Sequence, residues 1–134
     1  MSDHTTVPFF APQLFIKSGA RDVDFYIKGL GATELRRFSN DDGSIHVSEL
    51  SINGALFHIH EEKNEAGEFE PVKNKGITCL IGLFVDDVDK VINRALEAGA
   101  MLVKRAQDYD YGYRQGEIKD PFGHIWLIEQ KIGK

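Results

Sequence analysis

The chain has 134 residues, of which 42% are hydrophobic, and this length and composition are typical of a single globular domain. Its net charge is −5 and its Lys and Arg residues form no long run, which disfavours a nucleic-acid partner because such binding depends on clustered basic side chains. The sequence has neither a signal-peptide pattern nor an apolar run of the roughly 20 residues that span a bilayer. A cytoplasmic protein without a membrane partner is therefore predicted.

The single cysteine, Cys79, lies in an apolar run from Ile77 to Val85. One cysteine cannot form an internal disulfide, and no cysteine cluster supports a structural zinc site. The apolar neighbours predict a small buried side chain rather than a reactive thiol.

The first half of the chain shows one strand, one helix and three further strands. Ser18 is predicted to cap the helix, and Gly31 is a natural residue for its end. Turn signals at Asp42-Gly43 and Asn53-Gly54 separate the later strands. The predicted elements are a strand over 8–17, a helix over about 20–30, and strands over 33–38, 45–52 and 55–61.

A charged stretch over 63–75 reads as a linker, and the same pattern then starts again. Asp86 or Asp87 is predicted to cap a second helix that ends near Ala98. A turn at Asp120-Pro121-Phe122-Gly123 joins the last two strands. The predicted elements are a strand over 76–85, a helix to about 98, a strand over 101–105, a loop over 107–112, and a final strand, turn and strand over 111–129.

Superposing the two halves supports an internal duplication. A shift of 68 residues aligns apolar and glycine positions of the helices, and a shift of 69 aligns the last strands. The aligned pairs include Val23 with Val91, Gly31 with Gly99, Phe57 with Trp126 and Ile59 with Ile128.

One domain over 1–134 is predicted, with module one over about 8–62, a linker over 63–75 and module two over about 76–131. The fold class is α+β: two βαβββ modules pair into a curved mixed sheet that encloses a cup, with helices on the outer face.

Three segments carry a family likeness: FIKSGA with RDVDFYIKGLGA, FVDDVDKVINRALEAGA, and the terminal YGYRQGEIKDPFGHIWLIE. With these segments the chain resembles the glyoxalase/bleomycin-resistance/dioxygenase superfamily, also termed vicinal-oxygen-chelate proteins. The terminal segment is similar to the PhnB-like branch. The resemblance implies paired βαβββ modules, a small organic ligand held in the cup, and a homodimer.

The resemblance also implies four metal-ligand positions, one on the first and one on the last strand of each module. They fall near Ala11, His58, Leu80 (Cys79 if the register slips by one) and Leu127. A catalytic metal needs about three protein ligands, and only His58 among the four offers a donor. The usual metal site is therefore predicted to be absent, and no cofactor is expected.

His58 and His60 lie two residues apart on one predicted strand, so both side chains point to the same face. They are compatible with a metal ligand pair, with contacts that orient a ligand or act as a base, and with two exposed residues near a strand end. His124 follows the turn glycine and is predicted to form a hydrogen bond within that turn.

Strand parity gives a set of candidate ligand contacts. Arg114 either pairs with an acidic ligand at the mouth of the cup or forms a salt bridge to Asp108, Asp110 or Asp120. Phe84 either lines the cup or fills the core. The full set is Gln13, Phe15, Leu56, His58, His60, Phe84, Tyr111, Tyr113 and Arg114.

Two functions remain open at this point. The first is a small-molecule-binding protein of the glyoxalase/bleomycin-resistance type that lacks the usual metal site. The alternative is a lyase, isomerase or dioxygenase of the same superfamily that uses one divalent metal ion at His58 and His60. The sequence therefore leaves open whether the protein is an enzyme.

Overall fold

A computed structural model describes residues 7–71 and 76–133. Module one contains four strands and one helix: β1 (Gln13–Ile16), α1 (Asp24–Leu30), β2 (Thr33–Ser39), β3 (Ile45–Ile52) and β4 (Ala55–Glu61). A short 3-10 turn over Asn64–Ala66 follows it. Module two contains β5 (Leu80–Phe84), α2 (Val88–Glu97), β6 (Met101–Tyr109), β7 (Tyr113–Lys119) and β8 (Ile125–Lys131).

The two modules have the same topology. Module one forms a four-stranded sheet of order β1-β4-β3-β2, and module two forms one of order β5-β8-β7-β6. In each sheet the first strand is parallel to the last, and the other pairs are antiparallel. The predicted α+β fold of two βαβββ modules is confirmed, and the two sheets do not close into a barrel.

The core joins the modules through aromatic side chains on the helix side of both sheets. Tyr26 of α1 is fully buried, with its ring centroid 5.5 Å from that of Phe57 on β4 and 6.1 Å from that of Trp126 on β8. Phe57 and Trp126, which the duplication aligns with each other, are in contact at 5.4 Å. Residues equivalent by duplication thus meet where the two modules pack together.

The two helices also pack against each other. A side chain at Gly29 of α1 would place its Cβ 3.0 Å from the Cβ of Ala98, so glycine permits this close approach. Arg94 of α2 donates a 2.6 Å hydrogen bond from Nε to the carbonyl oxygen of Lys28, which satisfies a carbonyl in the last turn of α1. Within the described ranges, no helix has the length and apolar character needed to cross a bilayer.

The ends of several elements differ from the sequence prediction. The first helix starts at Asp24 rather than near residue 20, and Val23 at its N-cap makes no side-chain cap. Ser18, the predicted cap, instead donates a 3.3 Å hydrogen bond to the carbonyl oxygen of Glu62. The cap of α2 is confirmed, because Asp87 accepts a 3.1 Å hydrogen bond from the Lys90 amide. The strand β6 extends to Tyr109 through residues predicted to form a loop.

Candidate functional site

Five of the predicted contacts share one face of the module-one sheet. The parallel register places Gln13 opposite His58 and Phe15 opposite His60. These side chains point away from the helices, because the alternating residues Phe57 and Ile59 are buried on the helix side. The face of each sheet that points away from the helices is termed the cup face. By the same alternation, Leu56 also belongs to it.

The imidazole ring of His46 contacts that of His60, with the two ring centroids 5.3 Å apart. The Nδ1 atom of His60 donates a 2.6 Å hydrogen bond to the carbonyl oxygen of Glu61. His46 Nδ1 lies 2.7 Å from Oε2 of the Glu61 side chain. Across the described residues, His58 makes no side-chain hydrogen bond and no ring contact. The structure therefore pairs His60 with His46, whereas the sequence suggested His58.

The cup face of module two carries a group of aromatic rings. Phe84 contacts Tyr113 with ring centroids 6.0 Å apart. Tyr111 lies 5.9 Å from Tyr113 and stacks on Tyr109 at 5.3 Å. The Tyr111 hydroxyl donates to Oε1 of Gln115. A cavity of about 230 Å³ lies beside this group, and its lining includes Tyr109, Tyr111 and Gln115.

A buried carboxylate lies in the same region, although the sequence analysis did not select it. Glu129 is opposite Phe84 and Gln115 in the strand register, and it is 7% exposed. Its Oε1 accepts a 2.8 Å hydrogen bond from Gln115 Nε2. Its Oε2 lies 2.8 Å from the position that a Cβ at Gly82 would take. Alternation from Leu127 along β8 is the sequence signal that would have placed residue 129 on the cup face.

A second cavity of about 370 Å³ lies where β1 approaches module two, and its lining includes Gln13, Phe15, Phe69, Cys79 and His124. His124 Nε2 donates a 2.7 Å hydrogen bond to the carbonyl oxygen of Phe15. The predicted hydrogen bond within the turn is present at the backbone, where the His124 amide donates to Oδ1 of Asp120 at 3.1 Å, while the ring reaches across to β1. Cys79 is exposed, so the prediction of a buried side chain was wrong. It precedes the first hydrogen-bonded residue of β5 and lies on the wall of this open cavity.

Arg114 lies on the opposite face from Tyr113 and Gln115. Its Nε and Nη2 atoms donate 3.0 Å hydrogen bonds to Asp89 of α2, and Nη1 donates a 2.9 Å bond to Asp108. The hydrogen bonds to Asp89 and then to Asp108 raise the pKa of Arg114, and the bond from Arg114 lowers the pKa of Asp89. Of the two alternatives for Arg114, the salt bridge is therefore the one that the structure shows. The Arg114 guanidinium does not face the cup.

The residues at the four metal-ligand positions implied by the resemblance do not fit a divalent ion. Leu80 pairs with Ile125, and Leu127 pairs with Gly82, so module two contributes apolar atoms there. In module one, His58 provides a nitrogen and Ala11 precedes β1 without a donor side chain. Across residues 7–71 and 76–133, no three His, Cys, Asp or Glu side chains form a group that would hold a metal ion.

Comparisons with known proteins agree with this architecture. The sequence profile of the Glyoxalase/Bleomycin resistance protein/Dioxygenase superfamily matches residues 2–128. The uncharacterized protein Rv0887c of Mycobacterium tuberculosis is 34% identical over 128 residues, which cover 93% of this chain and 75% of that protein.

Solved structures show the same fold. TioX from Micromonospora sp. ML1 superposes with a TM-score of 0.69 at 25% identity, covering 95% of this chain and 98% of TioX. The Arabidopsis thaliana gene product At5g48480 also gives a TM-score of 0.69 at 25% identity, covering 92% of this chain and 98% of that one. The chain belongs to the glyoxalase/bleomycin resistance protein/dioxygenase superfamily of vicinal-oxygen-chelate proteins.

Proposed function

We propose that this protein binds a small organic molecule on the cup face and that binding needs no metal at the four positions its family commonly uses. One observation carries the proposal: three of those four positions hold Ala11, Leu80 and Leu127, while the cup face around them carries aromatic rings and hydrogen-bonding groups. Ligand sites are commonly apolar and aromatic surfaces with a few polar anchors.

Both sheets contribute to the proposed site. Phe84 and Tyr113 offer ring faces on which a flat apolar body can stack. Gln13 and His58 lie opposite each other on the other sheet and supply polar anchors. Phe84 is 62% exposed, so its ring is available to a ligand rather than filling the core. The segment that contains Tyr113 also underlies the proposed assignment to the PhnB-like branch.

The test is an NMR titration of the ¹⁵N-labelled full chain with a library of small aromatic compounds. We expect the compounds that bind to shift amide signals of the cup face, and Phe84→Ala to abolish those shifts without unfolding the protein. Leu35→Ala removes another exposed apolar side chain, 55% exposed on the edge strand β2, and is the matched control. Shifts confined to other surfaces, or unchanged binding in Phe84→Ala, would contradict the proposal.

We also propose that the protein is a homodimer. The support is the family resemblance together with the edge position of β5, whose Leu80 is 45% exposed. Light scattering coupled to size-exclusion chromatography should give twice the chain mass of 15.1 kDa. A concentration-independent mass of one chain would contradict this.

One observation favours a second candidate, a lyase, isomerase or dioxygenase of the same superfamily. Each of His46 and His60 has Nδ1 bonded to an oxygen of Glu61, and neither Nε2 atom has a hydrogen-bond partner among the residues that the structure describes. Oxygen acceptors at one ring nitrogen are the usual means of orienting a histidine that binds a metal or acts as a base. This candidate requires His46 with His60, and it predicts that His46→Gln removes any activity while His58→Gln leaves it in place.

A further inference from the structure

The carboxylate of Glu129 lies on the cup face, and no positively charged side chain in the described ranges forms an ion pair with it. The side chain is 7% exposed, and Gln115 Nε2 provides its one hydrogen bond within the described ranges. An amide donor carries no net charge. Its other oxygen, Oε2, accepts no hydrogen bond from residues 7–71 or 76–133, and it is not fully buried. One oxygen of a largely buried carboxylate is therefore left without a donor and keeps some exposure to solvent.

The described basic residues on this face do not pair with the Glu129 carboxylate. Lys104 forms its ion pair with Glu117 at 3.4 Å. By register, Lys119 and Lys131 lie on the same face of the sheet as Glu129, but both are exposed. In the part of the chain that the structure describes, neither forms an ion pair with Glu129. Among the described residues, the largely buried carboxylate of Glu129 thus has a neutral amide as its side-chain partner and no cation.

A buried carboxylate without an opposite charge does not stabilise the fold. Burying a charge is costly unless an opposite charge accompanies it. The backbone around the carboxylate is also specialised, because a Cβ at position 82 would come 2.8 Å from Glu129 Oε2. Glycine at this position leaves room for the carboxylate above the edge strand β5. Both features are explained if a ligand supplies the missing positive charge.

Aromatic rings adjoin the carboxylate. Phe84 is directly opposite Glu129 in the strand register, and its ring contacts that of Tyr113. Tyr111 continues the aromatic group. The face of an aromatic ring attracts an organic cation, and this attraction is strongest where water is excluded. A carboxylate with neighbouring ring faces is the chemistry that recognises a substituted ammonium or amidinium group.

We infer that the ligand of the cup carries an organic cation, which binds at Glu129 above Gly82 and against Phe84. This inference rests on the proposed binding function and specifies its ligand class. Gln115 holds the carboxylate in position through Oε1, and Oε2 receives the cation. The apolar body of the ligand extends over the neighbouring aromatic rings.

The test compares three aromatic probes of similar size by NMR titration of the ¹⁵N-labelled full chain. The probes are benzyltrimethylammonium, which is cationic, N-benzylacetamide, which is neutral, and phenylacetate, which is anionic. We expect the cation to shift the amide signals of Gly82, Phe84 and Glu129 and to bind about tenfold more tightly than the neutral probe. Glu129→Gln should remove this advantage, whereas Glu97→Gln, the same change at an exposed residue of α2, should leave it intact.

Thermal melting separates this role from a structural one. Because Glu129 lacks a counter-ion, the isosteric Glu129→Gln variant should melt at the same temperature as the wild type or higher. A lower melting temperature with unchanged cation binding would overturn the inference and show that the carboxylate supports the fold.

The three probes also distinguish the two proposals. If the neutral probe binds the cup as tightly as the cation, the cation preference fails while the proposed binding function stands. If none of the three shifts cup-face amides at millimolar concentration, the binding site that both proposals share is contradicted.

Discussion

Tyr26→Phe removes one hydroxyl group from the contact between the two modules and leaves its ring in place. Tyr26 is fully buried, and its hydroxyl donates a 2.7 Å hydrogen bond to Oδ2 of Asp120 in the turn between β7 and β8. The same oxygen accepts a 3.0 Å bond from Trp126 Nε1. Oδ1 of Asp120 accepts hydrogen bonds of 2.9 and 3.1 Å from the backbone amides of Phe122 and His124. The variant therefore removes one of four donors from a buried carboxylate.

The magnitude follows from the kind of bond that is lost. Hydrogen bonds to charged groups contribute about 1.5–3 kcal/mol to the free energy of unfolding. Asp120 keeps three donors in the variant, so the lower part of that range applies, about 2 kcal/mol. For a domain of this size, each kcal/mol changes the melting temperature by about 3 °C. The variant should therefore melt about 6 °C below the wild type at neutral pH.

The dependence on pH gives a second signature. Burial, and then the negative charge of Asp120, raise the pKa of Tyr26 above its ordinary value. A tyrosine in the unfolded chain titrates at about pH 10. Above that pH the unfolded chain loses this proton while the folded protein keeps it, so folding becomes less favourable as the pH rises. The difference in stability between wild type and Tyr26→Phe should be constant below about pH 10 and shrink above it.

Circular dichroism melts and urea titrations between pH 7 and 11 measure both effects. Tyr111→Phe is the control, because Tyr111 is 59% exposed and its loss should change the free energy of unfolding by about 0.5 kcal/mol or less. Equal stability of Tyr26→Phe and wild type at neutral pH would refute the reasoning. So would a stability difference that stays constant through the alkaline range.

Three further predictions concern packing and exposure. Asp120→Asn should lower the free energy of unfolding by about 2 kcal/mol in urea titrations. The reason is that its amide NH₂, a donor, would face another donor, either the Nε1–H of Trp126 or a backbone N–H. Unchanged stability would contradict this. Gly116→Ala should cost about 1–3 kcal/mol, since its Cβ would lie 2.5 Å from Cδ1 of Ile92, and a neutral result would mean that α2 can shift away. Cys79 should react with a thiol reagent in the folded protein at nearly the rate of the urea-unfolded chain, whereas strong protection would contradict its exposed position.

Periodicity in the sequence was sufficient to predict much of the module-one face. The alternation of Phe57 and Ile59 with His58 and His60 determines which side chains share a face, and the structure follows it. The duplication predicted equivalent positions for Phe57 and Trp126. It did not predict that these two residues touch, because superposition relates positions without stating how the modules pack.

Arg114 shows where the same rule was not applied fully. Neighbouring residues on a strand point to opposite faces, so Tyr113 and Arg114 cannot both reach the cup. The ion-pair partner Asp89 belongs to α2, and a local reading of β7 gives no sign of that contact. The same alternation applied to β8 places Glu129 with Leu127, so this residue was accessible to prediction and was missed.

Cys79 and His124 depend on contacts between modules, which no local pattern encodes. The apolar residues around Cys79 predicted burial, yet the chain before β5 lies beside an open cavity. His124 was placed in its turn by sequence, but its ring bonds to a carbonyl oxygen 109 residues away. Positions of this kind require knowledge of how β1 approaches module two.

Metal stoichiometry of the untagged protein tests the central claim most directly. Mass spectrometry of the native protein, purified without a histidine tag or chelator, should show no stoichiometric divalent metal, and His58→Ala should give the same spectrum. One equivalent of zinc, manganese, nickel or iron that disappears in His58→Ala would contradict the account, because it would show that the family's metal position is used despite Ala11, Leu80 and Leu127.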